Sequence, residues 1–188
     1  MDHLLFAAIG FLTLHSVLAA IDGLYLHLWR YRLHARPASR REHLWHTLRA
    51  VLFPAVVGTL FLAPVGGPLL WLGAALFVAD MVILMADVLE EPGSRSDIGG
   101  LSGPEYALHV VLTVFHVAAF VLLFAARPLG AWSISAPLVV AAVWPPMVHT
   151  IALNLLPGAV VVALVHILLL VFPHRLPAAG RPAARHWP

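Results

Sequence analysis

The chain has 188 residues, of which 61% are hydrophobic and 11% are charged, and its mean hydropathy is +0.91. This composition excludes an ordinary soluble domain and indicates an integral membrane protein. The absence of cysteine excludes disulfides, thiolate metal sites, iron–sulfur clusters and catalytic thiols. All basic residues are arginines beside apolar stretches, as in the loops of membrane proteins, so we do not expect nucleic acid as a partner.

Apolar stretches predict four membrane spans in the first two thirds of the chain, at residues 4–29, 42–62, 69–91 and 104–126. Each is long enough to cross a hydrocarbon core of about 30 Å at roughly 1.5 Å per residue. We predict a further span at residues 137–172, where prolines interrupt a longer apolar stretch. The expected fold is therefore an all-α integral membrane protein with about five transmembrane helices, the last one broken by proline.

The positions of the arginines predict an orientation. The linker at residues 30–41 has five arginines, and a tail at residues 174–188 has three more. The positive-inside rule places both in the cytoplasm and the N-terminus outside, as in a bacterial-type inner membrane. This requires an odd number of crossings, so we favour five, with residues 144–154 broken or partly re-entrant. Six crossings, with the tail outside, are the alternative. Residues 1–173 then form a single transmembrane domain.

A short pattern occurs twice in the first four spans: an Asp late in one span, then Glu-x-x-x-His opening the next. The two copies are Asp22, Glu42 and His46, followed by Asp87, Glu105 and His109. Glu and His four residues apart share a helix face. This internal repeat predicts two helical hairpins, at about residues 4–62 and 69–126, that pack as a four-helix bundle. All six residues would then converge near the cytoplasmic face.

The six residues suggest a metal centre. A charged group within a span costs roughly 2.5–3.5 kcal/mol on insertion scales, and a metal ion would offset that cost. Two divalent ions would balance four carboxylates, and oxygen and nitrogen ligands favour iron, with manganese or zinc as alternatives. The pattern resembles carboxylate-bridged di-metal bundles in ligand types, although their motif is Glu-x-x-His. Alternatively, both glutamates lie in solvated first helical turns, paired with Arg40, Arg41 or Arg95.

Further candidates lie at the same predicted depth. They are His27, His43, Glu90, Glu91 and His166, and we include His43, Glu91 and His166 among the candidate metal ligands. The alternative for each is a snorkelling or interfacial side chain. Arg49, seven residues after Glu42, would place a positive charge behind the ligands.

A deeper polar layer consists of His15, Asp80 and His116, each seven residues further into the membrane than a residue of the repeated pattern. This layer predicts a proton path, a second metal site, or a haem b site with His15 and His116 as axial ligands. Polar contacts between helices are the alternative. We count Arg49, Asp80 and His116 as the candidate catalytic residues.

These observations lead to two classes of function. The first is a di-iron or di-manganese oxidoreductase that acts on a lipid or quinone-like substrate from the bilayer. The second is a non-catalytic or b-haem-binding subunit of a larger membrane complex, with other membrane subunits as partners. A cation or proton transporter that uses the same acidic and histidine positions is a third possibility.

Overall fold

A computed structural model describes residues 2–141 and 144–173. The described residues form five long helices and no β-strand. The first, α1, spans Asp2–Ala20 and continues as a π-helical segment, Ile21–Arg30; the others are α2, Arg40–Phe61, α3, Gly67–Ser94, α4, Gly103–Ala125, and α5, Pro146–Val171. The predicted all-helical class is confirmed. All five helices are long and apolar enough to cross a membrane, which suggests an integral membrane protein. The predicted basic tail lies outside the described residues.

The helices begin where the sequence supplies starting signals. Proline occupies the first turn of α3, α4 and α5, where its missing N–H costs no helical hydrogen bond. In α4 the Ser102 hydroxyl also accepts a hydrogen bond from the backbone N–H of Glu105, at 3.4 Å. These caps place Glu105 in the first turn of α4, at the polar end of the helix.

Prolines within the helices interrupt them less than predicted. The expected break at residues 144–154 is wrong for the residues from Pro146 onward, because α5 is one continuous helix with Pro157 inside it. Likewise, α3 passes Glu91 and ends at Ser94, with Pro92 within the helix. A proline removes one N–H from the helical ladder, whereas unwinding would expose several backbone groups to an apolar environment. The continuous helix therefore has a lower free energy than a helix that unwinds at the proline.

The packing of the helices divides the protein into an apolar half and a polar half. Helix α1 packs against α4 and α5, and α2 packs against α3 and α5. The hydrophobic core lies between the first half of α1 and the ends of α2 and α4, and includes Leu5, Ile9, Leu12, Leu60, Phe61, Phe120 and Leu123. Most buried charged residues occupy the opposite half, at the ends of α1 and α3 and the starts of α2 and α4, whereas Arg127 is buried in the apolar half.

The apolar half is closed by the connection between α4 and α5. An isolated bridge pairs Val65 with Val139, beside the turn that leads into α3. Gly67 has a φ of +54°, and a Cβ there would lie 2.3 Å from the carbonyl oxygen of Ala136. Both facts require glycine at the first residue of α3.

Two side chains of the same connection cap the end of α2. The Arg127 guanidinium donates a hydrogen bond to the carbonyl oxygen of Leu60 at 2.8 Å, and the Trp144 indole donates to that of Phe61 at 2.9 Å. The guanidinium also lies over the Trp144 ring, at 4.5 Å. Burial lowers the pKa of Arg127 to about 10, so the side chain remains charged at neutral pH. Together they satisfy carbonyls that a helix end leaves unpaired.

Candidate metal centre

The π-helical segment Ile21–Arg30 brings Asp22 and His27 together. Its wider turn is visible at its end, where the N–H of Tyr31 bonds to the carbonyl of Leu26, five residues earlier, at 2.8 Å. His27 Nε2 lies 3.4 Å from Asp22 Oδ1, and both side chains are buried. Segments of π-helix are rare and occur frequently at functional sites. Residues five apart do not share a face of an α-helix, so the spacing alone makes His27 only a secondary candidate.

Asp22, His27 and His109 form the first group of candidate ligands. Asp22 Oδ1 lies 3.2 Å from His109 Nε2 on α4, in addition to its contact with His27. The three ligand atoms all lie within 4.8 Å of one another. A metal bound at about 2.0–2.2 Å by nitrogen and oxygen has neighbouring ligand atoms roughly 3 Å apart. The spacing of this group therefore fits a single metal ion.

His27, Glu42 and His46 form a second group, with ligand atoms within the same 4.8 Å limit. His46 Nε2 lies 3.8 Å from Glu42 Oε1 and 3.4 Å from Asp87 Oδ2. The rings of His27 and His46 are 4.1 Å apart, centroid to centroid. Among the described residues, neither ring nitrogen of His27 has a hydrogen-bond partner. Buried nitrogens without partners are costly, and metal ligation would use them.

The aspartates pair across the two copies of the repeated pattern. Asp22 of the first copy contacts His109 of the second, and Asp87 of the second copy contacts His46 of the first. This exchange follows from the packing, because α1 lies against α4 and α2 lies against α3. The structure thus brings the six residues of the pattern to one end of the helices, with the Asp–His pairs exchanged.

Arg95 holds the two glutamates of the pattern. Its guanidinium is fully buried; Nη2 donates a hydrogen bond to Glu42 Oε1 at 2.9 Å and forms an ion pair with Glu105 Oε1, 2.8 Å away. The Ser94 hydroxyl donates to the other oxygen of Glu42. The guanidinium also packs on the Tyr31 ring, 4.8 Å from its centroid. The predicted ion pairing with Arg95 is therefore present. Glu42 and Glu105 lie between this cation and His27 or His46.

From the sequence, Arg95 is only one of three possible partners of Glu42 and Glu105, together with Arg40 and Arg41. Its neighbours are serines in the polar connection after α3, a context typical of an exposed residue. No local signal distinguishes a buried arginine in such a connection.

The additional candidates occupy different places. Glu91 Oε1 lies 3.0 Å from Nδ1 of His109, so it contacts that ring on the side opposite Asp22. His43 is buried but stacks on His166, with 5.4 Å between ring centroids, and lies 6.0 Å from the ring of His34. These three histidines form a cluster beside the two candidate ligand groups. Glu90 pairs with Arg41, at 3.5 Å, on the surface.

Asp80 connects two other residues at the level of the deeper layer, Arg49 and His116. Its two carboxylate oxygens lie 3.3 Å from Arg49 Nε and 2.9 Å from His116 Nε2. Nη1 of the same arginine lies 3.9 Å from Asp87, which links the deeper layer to the candidate ligands. Arg49 therefore lies between the deeper layer and Asp87, and its role as a positive charge behind metal ligands stays a prediction.

His15 completes this layer. Its Nδ1 donates to the carbonyl oxygen of Leu112 at 3.0 Å, and its ring centroid lies 4.6 Å from that of His116. The two rings contact each other, so a haem with both as axial ligands requires the rings to separate and admit the macrocycle. The arrangement itself is that of a polar contact between α1 and α4.

Both layers line one cavity of about 720 Å³. All five helices contribute to its wall, which is mostly apolar, while its polar lining includes Asp22, His46, His109, Asp80 and His116. Cavities of this size accommodate small organic ligands, usually with few polar groups that orient them. The arrangement therefore presents a cluster of histidines and carboxylates to an apolar space.

No protein-family model matches the chain, and neither the curated proteins nor the solved structures include a significant match. The function is therefore argued from the chemistry of the site.

Proposed function

We propose that this protein is a membrane-embedded metalloprotein that binds two divalent metal ions, iron first and manganese as the alternative. Its proposed activity is oxidation of a lipid or quinone-like substrate. The observation that carries the proposal is the position of His27, which both groups of candidate ligands share. The groups adjoin a cavity with a mostly apolar wall.

The balance of buried charge supports two ions. The polar half contains six buried carboxylates, which belong to Asp22, Glu42, Asp80, Asp87, Glu91 and Glu105. Two arginines, Arg49 and Arg95, form ion pairs with members of this set. If the histidines that contact these carboxylates are neutral, as metal ligands are, two divalent cations would balance the four remaining negative charges. Without them the excess charge would be costly in an apolar environment.

The ligand types favour iron or manganese. Imidazole suits iron and zinc, carboxylate oxygen suits manganese, and the chain has no cysteine to favour copper(I). Bound iron would supply the redox chemistry. The side chains that belong to the protein hold the charge in place: Arg95 orients both glutamates, and Glu91 contacts the far side of His109.

The cavity supports an apolar substrate. For a hydroxylation, one C–H bond of the substrate breaks and one C–O bond forms. Molecular oxygen is the oxidant, with one atom entering the product and the other leaving as water. Two electrons and two protons come from an external reductant. Arg49, Asp80 and His116 line the cavity beside the candidate ligands; we assign proton transfer to Asp80 and His116, and to Arg49 the fixed positive charge that pairs with Asp80.

The proposal includes the internal repeat and the orientation of the chain. We treat α1–α2 and α3–α4 as two related helix pairs of a four-helix bundle that contact each other through α1 with α4 and α2 with α3, as in the pairs Asp22–His109 and Asp87–His46. The end that contains the candidate ligands faces the cytoplasm, supported by the arginines at residues 30–41.

The direct test is elemental analysis and an optical spectrum of the detergent-purified chain. We expect about two iron or manganese ions per chain, the number that balances the buried charge, and no Soret band. His27→Ala should lose most of the metal because it removes the shared ligand, and His109→Ala should lose at least the ion of its own group. His149→Ala is the matched control, since this exposed histidine lies on α5 and outside the ligand groups. Full metal content in both variants would contradict the proposal.

A second candidate function is a non-catalytic subunit whose polar half is an ion-paired junction between helices. The pairing of Arg95 with both glutamates favours this function, because two of the candidate metal ligands already have a buried cation as their ion-pair partner. Purified protein without metal and without haem would support this function. A Soret band would instead support the haem-binding form of the subunit.

A further inference from the structure

A second apolar space adjoins the cavity. It is a groove of about 470 Å³ between the π-helical segment and the last turns of α5. Its lining is apolar throughout, with Leu24, Leu28, Trp29, Val165, Leu168, Leu169 and Phe172. Leu24 lines both the groove and the cavity. The two spaces therefore lie next to each other at this residue, beside the seam between α1 and α5.

Small residues occupy the seam. Ala20 and Gly23 on the side of α1, and Gly158 and Ala159 on the side of α5, all line the cavity. Gly158 is exposed, and within the described residues no atom lies within 4 Å of the position that a Cβ there would take. The wall of the cavity is therefore thin at this point of the lipid-facing surface.

We propose that one hydrocarbon chain of a membrane lipid lies in the groove and enters the cavity between α1 and α5. Its end would then lie beside Asp22 and His109. The assignment of this chain as the substrate rests on the proposed function, whereas its binding does not require the metal.

Three features identify a lipid chain as the occupant. The groove runs along candidate membrane-spanning helices, so lipid chains are what covers it. Apart from the indole N–H of Trp29, its lining offers no polar group on a side chain to recognise a ring with oxygen substituents. At its outer end, Trp29 is followed by the exposed Arg30, the residue types that contact lipid head groups at the interface. A lipid with one hydrocarbon chain and an anionic head group fits this order, with the chain against the apolar wall and the head group beside Trp29 and Arg30.

The test uses the full chain in phosphatidylcholine bilayers and a palmitic acid with a photoreactive diazirine at its methyl end. After illumination, we expect adducts on cavity residues of α2 and α4, such as Ala50 and Thr113. Both residues line the cavity on the far side of the seam, so a chain that enters through the seam reaches them only inside the cavity. Unlabelled palmitic acid should compete with the probe. Adducts restricted to the outer faces of the helices, or competition by a quinone but not by palmitic acid, would overturn the proposal.

Gly158→Phe should close the seam. We expect its cavity adducts to fall about tenfold, the change produced by excluding roughly two methylene groups from an apolar site. Gly10→Phe is the matched control, because Gly10 also has open space around its Cβ position among the described residues but does not line the cavity. Gly158→Leu serves as a smaller blocking variant if the phenylalanine disturbs folding. Equal labelling in the blocking variants and the control would overturn the proposal.

Metal content separates this proposal from the proposed function. Metal-free protein whose cavity is still labelled would refute the metalloprotein and retain the lipid site. Protein with full metal content and no labelling of the cavity would refute the lipid site alone.

Discussion

Arg95 determines how the buried negative charge is distributed at the polar end. Its side chain is completely buried, and a single nitrogen, Nη2, forms ion pairs with both Glu42 and Glu105. Each glutamate is thereby held with its carboxylate near a histidine, at 3.8 Å in both cases. The arginine and the histidines thus share the same carboxylates. This arrangement orients two potential ligands around one positive charge, which balances one of their two negative charges.

Arg95→Ala is therefore expected to destabilise the protein strongly. Removing one partner of a buried ion pair leaves uncompensated charge and costs about 3–5 kcal/mol. Thermal unfolding in detergent measures the effect. Arg41→Ala is the control, because Arg41 is 74% exposed and pairs with Glu90 at 3.5 Å, and exposed pairs are worth about 0–1 kcal/mol. Similar small changes in Tm for the two variants would show that the Arg95 pairs contribute little.

At the scale of the helices and turns, two departures from regular α-helical geometry have opposite consequences. The π-helical segment adds His27 to the face that contains Asp22 and so changes which residues form the candidate site. The left-handed conformation of Gly67, by contrast, starts α3 at the far end and supports only the fold. Local geometry near the candidate ligands therefore bears on function, and local geometry at the other end bears on stability.

Gly67→Ala should destabilise the protein without changing its metal content. The φ of +54° is strained for alanine, and the added Cβ would lie 2.3 Å from the Ala136 oxygen. Strain of this kind costs about 1–3 kcal/mol. Gly130→Ala is the control, since no described atom lies within 4 Å of its Cβ position. Comparing Tm and metal content of the two variants tests this; an unchanged Tm for Gly67→Ala would contradict it.

At the scale of the whole molecule, the alternation of five helices places the candidate ligands at one end and the capped turn of α2 and α3 at the other. A proposed cytoplasmic position for the ligand end follows from the arginines near it. Metal and reductant would then reach the centre from the cytoplasm, while an apolar substrate would enter through the bilayer.

The absence of cysteine in the chain makes this orientation directly testable. Ser96→Cys and Ser133→Cys introduce single thiols at two exposed positions, one near each end of the helices. A membrane-impermeant maleimide should label Ser133→Cys in intact cells and Ser96→Cys only after permeabilisation. The reverse pattern would invert the proposed orientation while leaving the fold unchanged.

From the amino-acid sequence alone, we predict the helical class, the number of candidate spans and the end at which the polar residues lie. These follow from local rules: the length of apolar runs sets the spans, and spacing along a helix sets the depth of each residue. The same rules also placed a break after Pro145 that the structure shows as a continuous helix, because the cost of unwinding in an apolar environment is not a property of the local sequence.

Which of these residues contact each other is seen only in the tertiary structure. Asp22 contacts His109 because α1 packs against α4, and Arg95 lies between Glu42 and Glu105 because the connection after α3 folds inward. His27 joins the candidate ligands because its helix widens at that point. Each of these contacts depends on the rotation and packing of whole helices, which are set by the sum of many weak interactions between distant segments. No spacing within one segment encodes them.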